Sequence, residues 1–249
     1  MERAARLVFV LPGGGAEHEY YAFAEATGDR AKVFIMASRI GPGEEDHDID
    51  SLLGTARIDW ITEAARRMIP LKPDCAFWAC TSGSFVVGRA GAEAQVAALT
   101  EATGVPAGST SLAFVDALQA LGLRRVAVLA TYPEPAARAF EAFLGEFGIE
   151  IVHLHWLDAG SGWDAALLSP ERVIAAAKEA AVPEAETVLI PDTAMPSLDL
   201  IAPIEDAIGR PVLTANQVSL WQAVRLSGRH VPVEGHGRLF ALPQAIAAQ

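Results

Sequence analysis

CAFWACTSGS, residues 75–84, passes from an apolar run of strand length into a cluster of small polar residues. A short continuous apolar run closed by turn-forming residues is how a strand buried on both faces reads, and such strands belong to parallel sheets covered by helices. Six further runs have this character: RLVFVLP from Arg6, AKVFIMA from Ala31, RRVAVLAT from Arg124, IEIVHLHW from Ile149, ETVLIP from Glu186 and RPVLTA from Arg210. Helical patterns separate them. Ahead of CAFWAC, the stretch DSLLGTARIDWITEAARRMI puts Leu53, Trp60, Ile61, Ala64 and Met68 on or near one helical face, which predicts a single crossover helix. The alternation as a whole predicts an α/β fold.

The second half of the chain repeats the first. RLVFVLPGG from Arg6 resembles RVAVLATYP from Arg125, AKVFIM resembles IEIVHL, and CAFWACTSGS resembles TVLIPDTAMPS in a way that aligns Cys80-Thr81 with Asp192-Thr193. TGVPAGSTSLAFVDALQALG from Thr103 echoes IGRPVLTANQVSLWQAVRLSG from Ile208. The spacing between copies shrinks from 119 to 105 residues along this series, as shorter loops in the second copy would produce. Two unrelated Rossmann-like halves would share some of this order, and a duplication accounts for more of it. The expected architecture is two pseudo-symmetric Rossmann-like parallel-sheet lobes, with residues 1–112 and 215–249 forming a discontinuous first lobe and 113–214 the second. Open sheets of this kind place ligands at the carboxyl ends of their strands, so a cleft between the lobes would bring Cys80 and Asp192 face to face.

At 249 residues the chain is long enough to bury a substantial core. A composition of 51% apolar and 20% charged residues, with no uninterrupted apolar run of membrane-spanning length, predicts a soluble globular protein. The apolar start of MERAARLVFVLPGGG ends in glycines that read as a turn, with no small-residue cleavage site evident, and a cytoplasmic location is expected. The net charge of −12 and the lack of a basic stripe argue against nucleic acid as a partner. In an extended strand Cys75 and Cys80 stand roughly 16 Å apart, beyond disulfide reach. Both are expected to be free thiols, as a reducing compartment allows.

Cys80 stands where a strand gives way to a helix, and Ser or Thr is expected to cap that helix and leave its first amides free. The partial positive charge there favours a thiolate, so Cys80 is expected to be more acidic than an ordinary thiol of pKa about 8.5. Thr81, Ser82 and Ser84 add hydroxyls able to donate to a carboxylate. A cysteine at a strand end is also what a packed core uses, but the polar cluster and the repeat favour the chemical role. Cys75, deeper in the strand among apolar side chains, is read as packing. Asp192 occupies the mirrored turn IPDTAMPS, either as a helix cap with Thr193 and Ser197 as helpers or as a proton donor facing the cleft. In the second role, burial beside an anionic substrate would raise its pKa; a substrate ammonium would pair with it instead.

LPGGGAEHE, residues 11–19, has the outline of a phosphate loop without its chemistry. It lacks the Walker lysine and the third glycine of a dinucleotide fingerprint, and it sets Glu17 and Glu19 where phosphate charge would sit. Its glycines are expected to let backbone amides approach a small acid. Arg39, near the end of the second strand, keeps an NADP reading open. His153 and His155 share a strand face but imply no third ligand, so no metal site is expected. GPGEEDHDID around His47 is read as a solvated loop that could cover the cleft. No G-x-S-x-G nucleophile elbow is present.

On ACTSGS at 79–84, VLPGGG at 10–15, VAVLATYP at 126–133 and IPDT at 190–193, the sequence resembles the aspartate/glutamate racemase superfamily, and within it the branch of maleate cis-trans isomerases and arylmalonate decarboxylases. The resemblance spans most of the chain in order. It implies a two-domain, pseudo-symmetric enzyme without cofactors that holds a carboxylated substrate between its halves through amides and hydroxyls. In the racemases one cysteine from each half removes or returns a proton on opposite faces of a carbon. In the similar isomerases the cysteine matching Cys80 adds to the alkene carbon and permits rotation. Thr81 and Ser82 match carboxylate-binding positions, and the same resemblance puts Gly15, Tyr132 and Thr193 at the substrate.

The chain departs from the pattern at three places. Asp192 replaces the second-half cysteine, Gly15 stands where asparagine is usual, and the usual Thr-Pro-Tyr becomes Thr131-Tyr132-Pro133. A thiol/carboxyl pair still exchanges protons when the two pKa values are brought together, but the change disfavours an ordinary two-thiol racemase. Decarboxylases of the branch keep a single cysteine in the second half, so one using Cys80 would protonate from the opposite side.

The expected function is a cofactor-independent isomerase or racemase acting on a small carboxylic or dicarboxylic acid, maleate-isomerase-like, with Cys80 as nucleophile or acid/base and Asp192 as its partner. The nearest rival is a malonate-type decarboxylase. A non-catalytic small-acid binding protein and an NADP oxidoreductase are rivals of other classes. Neither cofactor nor metal is expected, the small acid is the expected partner, and a homo-oligomer is left open.

Overall fold

The computed structural model describes residues 3–43 and 45–244. Its first half runs β1 (Ala5–Leu11), α1 (Glu17–Ala26), β2 (Ala31–Ala37), α2 (Ile49–Thr55), α3 (Ile58–Arg66), β3 (Cys75–Trp78), α4 (Ser82–Phe85), α5 (Gly88–Thr103), β4 (Ala107–Ser109) and α6 (Thr110–Leu121). The second half runs β5 (Arg125–Ala130), α7 (Glu134–Gly145), β6 (Glu150–Trp156), α8 (Gly162–Ala166), α9 (Pro170–Ala180), β7 (Thr187–Ile190), α10 (Ile201–Ile208), β8 (Val212–Thr214), α11 (Ala215–Leu226) and α12 (Gly237–Phe240).

The strands form two four-stranded parallel sheets in the orders β2-β1-β3-β4 and β6-β5-β7-β8. The identical order is the repeat read in the sequence. In each sheet the chain moves outward from the first strand to the second, then crosses back over the first to the third. Winding therefore reverses between β1 and β3 and between β5 and β7, and loops leaving such a pair of strands diverge to opposite faces and open a crevice. Those are the strands that end at Leu11, Trp78, Ala130 and Ile190.

Each apolar run singled out in the sequence forms a strand. β4 has no such run, because Ala107-Gly108-Ser109 is short and small. The predicted single crossover helix is two helices. Arg57 takes extended dihedrals, φ −63° and ψ 122°, so α2 ends and α3 starts in a new direction. Ile61, Ala64 and Met68 are buried as an amphipathic helix requires, whereas Leu53 is exposed because the turn carries it off the shared face. Trp60 lies beneath the guanidinium groups of Arg39 and Arg57.

Alternation along β3 decides what surrounds the cysteines. Cys75, Phe77 and Ala79 face the large core that runs through both halves, with Phe9, Phe114, Phe140 and Leu189. Ala76, Trp78 and Cys80 face a smaller cluster with Val10, Ile61 and Leu99. Cys75 is thus packing, its Sγ donating to the Ala223 carbonyl at 3.3 Å. α11, started by a capping box between Thr214 and Gln217, is buried along nearly its whole length and packs on β3, β4 and its mirror helix α6.

A carboxylate ties the halves together. Glu19, on α1, accepts the backbone N–H groups of Ser197 and Leu198, both at 2.6 Å, and the side-chain amide of Asn216 at 2.7 Å. Asn216 in turn accepts from the Tyr20 hydroxyl at 2.9 Å. Burial raises the Glu19 carboxyl above the usual range, and these donors oppose the rise. Among the described residues no helix is long and apolar enough to cross a membrane.

Candidate active site

The turns at the two switch points meet. After β1 the chain passes through Pro12 to Gly15, where φ is +143°, and a Cβ there would stand 2.4 Å from the Ala194 carbonyl oxygen. Only glycine admits both that conformation and that approach. The glycine turn of the first half therefore lies directly on the Asp192–Ala194 turn of the second. Gly15 itself does not line the cavity between them: its N–H donates to Glu17 Oε2 at 2.8 Å, and Gly13 and Gly14 form the wall. The acidic residues of LPGGGAEHE thus take up amides within and across the halves, as Glu17 and Glu19 both do.

After β3, Cys80 enters α4. Gly83 N–H donates to Cys80 Sγ at 3.2 Å, and Ser82 Oγ lies 3.7 Å from the sulfur. A Cβ on Gly83 would come within 3.0 Å of both Cys80 Sγ and the Trp78 ring, so a larger residue would displace the thiol. The expected acidic thiol is not what results. α4 is a single turn without a side-chain cap, its dipole is correspondingly small, and burial dominates. The Cys80 thiol is pushed up to about 11 by burial, opposed by the Gly83 amide and the Ser82 hydroxyl and assisted by the charge of Asp192.

Thr81 and Ser82 flank the sulfur. Ser82 lines the cavity. Thr81 is fully buried, and among the described residues its Oγ1 has no hydrogen-bond partner. Tyr132 sits below the cavity rather than in its lining. Its hydroxyl donates to the Pro191 carbonyl, and its ring is packed edge-on against His47 and Phe85. Burial and the nearby Asp192 charge hold that phenol well above its ordinary pKa, so it stays a neutral donor.

Asp192 follows β7 and is buried. One carboxyl oxygen accepts the Ala194 N–H at 2.8 Å and the other accepts the Thr131 hydroxyl. Burial raises its pKa, and His47, Thr131 and the Ala194 amide, in that order, pull it back. Thr193 lines the cavity beside it.

Cys80 and Asp192 thus open onto one cavity of about 90 Å³. Its lining includes the polar side chains of Cys80, Ser82, His47, Asp46, Asp192 and Thr193 and the apolar side chains of Leu11, Ile40, Leu52 and Trp163. Among the described residues no lysine or arginine lines it, so an anion would meet only neutral donors and His47.

His47 is the residue that local sequence misplaces. GPGEEDHDID reads as solvated, yet His47 is only 7% exposed. Its Nδ1 contacts the Ala159 carbonyl at 2.8 Å, and its backbone N–H donates to the Gly160 carbonyl at 3.0 Å. The loop from the first sheet is therefore pinned to the loop after β6. No local pattern announces this contact, which depends on two segments more than a hundred residues apart. Ile40 and Trp163, which line the cavity beside Gly13 and Gly14, were equally hidden. Arg39, the residue that kept NADP open, pairs with Glu63 at 2.9 Å on the surface. His153 and His155 stack with ring centroids 6.5 Å apart, and among the described residues no group of three His, Cys, Asp or Glu side chains could hold a metal.

A family model described as arylmalonate decarboxylase matches residues 55–240. The arylmalonate decarboxylase of Bordetella bronchiseptica is 32% identical over 191 residues, 74% of this chain and 78% of that protein. A maleate isomerase of Nocardia farcinica is 31% identical over 141 residues, 56% of each chain. Among solved structures, the liganded form of an arylmalonate decarboxylase with one glycine changed to cysteine and one cysteine to serine superposes with a TM-score of 0.82. It is 26% identical and covers 95% of this chain and 99% of its own.

Proposed function

We propose that this chain, which belongs to the arylmalonate decarboxylase family, is a cofactor-independent isomerase of small carboxylic acids that moves a proton at the carbon beside the carboxylate. The observation that carries this reading is the convergence of Cys80 and Asp192, from equivalent turns of two equivalent sheets, on one cavity. In this reading the substrate carboxylate lies against the hydroxyls of Ser82 and Thr193, which line the cavity. Asp192 as carboxylate takes the proton from carbon, breaking C–H and forming O–H, and the electron pair moves into the substrate carboxyl as an enediolate. The Cys80 thiol then gives its proton to the other face, breaking S–H and forming C–H. A thiol held near 11 is a ready proton donor at neutral pH, which favours proton exchange over thiolate addition to an alkene.

Decarboxylation of a malonate-type acid is the second reading, favoured by the apolar wall of Leu11, Ile40, Leu52 and Trp163. A carboxylate set against that wall, with no cation to stabilise it, is raised in energy relative to carbon dioxide, and Cys80 would protonate the enediolate left behind. Both readings share the lobe division 1–112 with 215–249 against 113–214, of which 1–2, 44 and 245–249 lie outside the described residues. Two free thiols suit a reducing compartment, and we place the enzyme in the cytoplasm.

The test is a panel of maleate, arylmalonates, α-substituted carboxylic acids and amino acids in deuterated water, followed by proton NMR. Deuterium entering the α position supports proton-transfer isomerisation, and conversion of maleate without it points to addition of Cys80 to the alkene instead. Loss of a carboxyl group selects the second reading, and an unchanged panel with tight ligand binding means a binding protein.

A further inference from the structure

We propose that His47 carries protons between Asp192 and water, with Nε2 as the exchanging atom, so that the second side of the site is a carboxyl–imidazole pair rather than a lone carboxyl. This rests on the reading of Asp192 as the group opposite Cys80.

The geometry of the ring leads to this role. A carbonyl oxygen only accepts hydrogen bonds, so the contact from Nδ1 to the Ala159 carbonyl fixes the hydrogen on Nδ1 in both charge states of the imidazole. Nε2 is then the one ring atom free to gain or lose a proton. The ring cannot easily turn to change this, because its own backbone is bonded to Gly160 and its face is met edge-on by Tyr132 at 4.8 Å between centroids. A freely solvated histidine has neither constraint.

Asp192 needs such a partner. It is 3% exposed, and each of its oxygens already accepts a hydrogen bond, from Thr131 and from Ala194, so little of it is open to bulk water. His47 borders the same cavity and is the largest influence opposing the effect of burial on Asp192. The other titratable groups around this space are Asp46 on the same loop, Tyr132 after β5 and Cys80 after β3. The transfer balances without a co-reactant: after Asp192 has taken a proton from carbon, its O–H breaks as the Nε2–H bond forms. The imidazolium then releases that proton to water, the thiolate left on Cys80 takes one from water entering the same cavity, and the reverse sequence reloads Asp192.

His47→Asn is the discriminating variant, because its amide nitrogen can still donate to the Ala159 carbonyl while nothing replaces Nε2. With an acid that the wild-type protein turns over, kcat should fall about 10- to 100-fold with KM changed less than about twofold, as for loss of one general acid/base. Added imidazole should restore rate in proportion to its concentration. An unchanged kcat, or a loss that imidazole does not repair, overturns the proposal. Nitrogen-resolved NMR of the ring gives a readout that needs no substrate. The Nδ1–H tautomer should persist at high pH. The opposite tautomer overturns the proposal even if no acid is turned over, and a silent panel alone counts against the isomerase reading instead.

Discussion

Cys80 should be a thiol rather than a thiolate in the resting protein at neutral pH. Its sulfur has one amide donor and one hydroxyl near it, and these do not compensate for the loss of water around a 2% exposed group beside a carboxyl. With the thiol pushed up to about 11, the ionised fraction is on the order of 10⁻⁴ at pH 7 and 10⁻² at pH 9. Iodoacetamide alkylation, taken as wild type minus Cys80→Ser, should therefore speed up about tenfold per pH unit and show no plateau below about pH 10. Cys75 adds no interference, since burial and Asp74 hold it higher still. The same shift enters stability. The folded pKa lies above the unfolded value of 9.0, so the folded state keeps this proton longer, and the associated stability is complete below pH 9. About 3 kcal/mol of it is lost as pH rises through 11, which urea titrations across that window should detect against Cys80→Ser. An alkylation plateau near pH 7 would refute the reasoning, because it would mean that the single helical turn outweighs burial.

Gly15→Ala forces a side chain into a left-handed backbone and onto the Ala194 carbonyl, and should cost about 3 kcal/mol in thermal unfolding along with most turnover. Glu19→Ala strands two buried amides and Asn216, and should cost about 3–5 kcal/mol in urea unfolding, with Glu19→Gln costing less than half of that because its carbonyl still accepts both amides. Trp163→Ala should raise KM about 5- to 10-fold for acids with an apolar substituent while leaving kcat within about twofold, measured by steady-state kinetics, since the ring offers uniform binding at the apolar wall.

The strands were legible because parallel strands buried on both faces must be apolar throughout, and seven runs of that kind stand between turn residues. β4 escaped because three small residues satisfy the sheet where α11 packs close by. The repeat nevertheless held its position, through TGVPAGS set against IGRPVLT. The break at Arg57 escaped because nothing in SLLGTARIDW forbids a continuous helix; the turn is imposed by tertiary packing. At the site, Cys80 and Asp192 were legible through the repeat, which assigns equivalent turns without any knowledge of distance. His47, Ile40 and Trp163 were not, since the contacts that bring them to the cavity join segments far apart in the sequence. The acidity of Cys80 was misjudged for a related reason: a strand-to-helix turn is visible in sequence, but the length of the helix and the depth of burial, which set the balance, are not.

The replacement of a second thiol by a carboxyl changes what the two-sided site does at rest. In a matched pair of thiols either partner can hold the proton, and the two directions of transfer are near equivalent. Here the charge of Asp192 raises the thiol, burial raises the carboxyl and His47 pulls it part of the way back, so the two partners are no longer equivalent. A substrate carboxylate entering a cavity without lysine or arginine adds like charge next to Asp192, which disfavours the ionised carboxyl further. In the proposed mechanism binding and proton position are thus linked: the acid enters most readily when Asp192 holds an extra proton, and proton removal from carbon begins only after that proton has left. A lone buried carboxyl would be trapped in its neutral form by its own substrate. An imidazole at the same cavity, fixed at Nδ1 and free at Nε2, gives the displaced proton a place to go, and in the proposed mechanism this is what lets Asp192 act as a base.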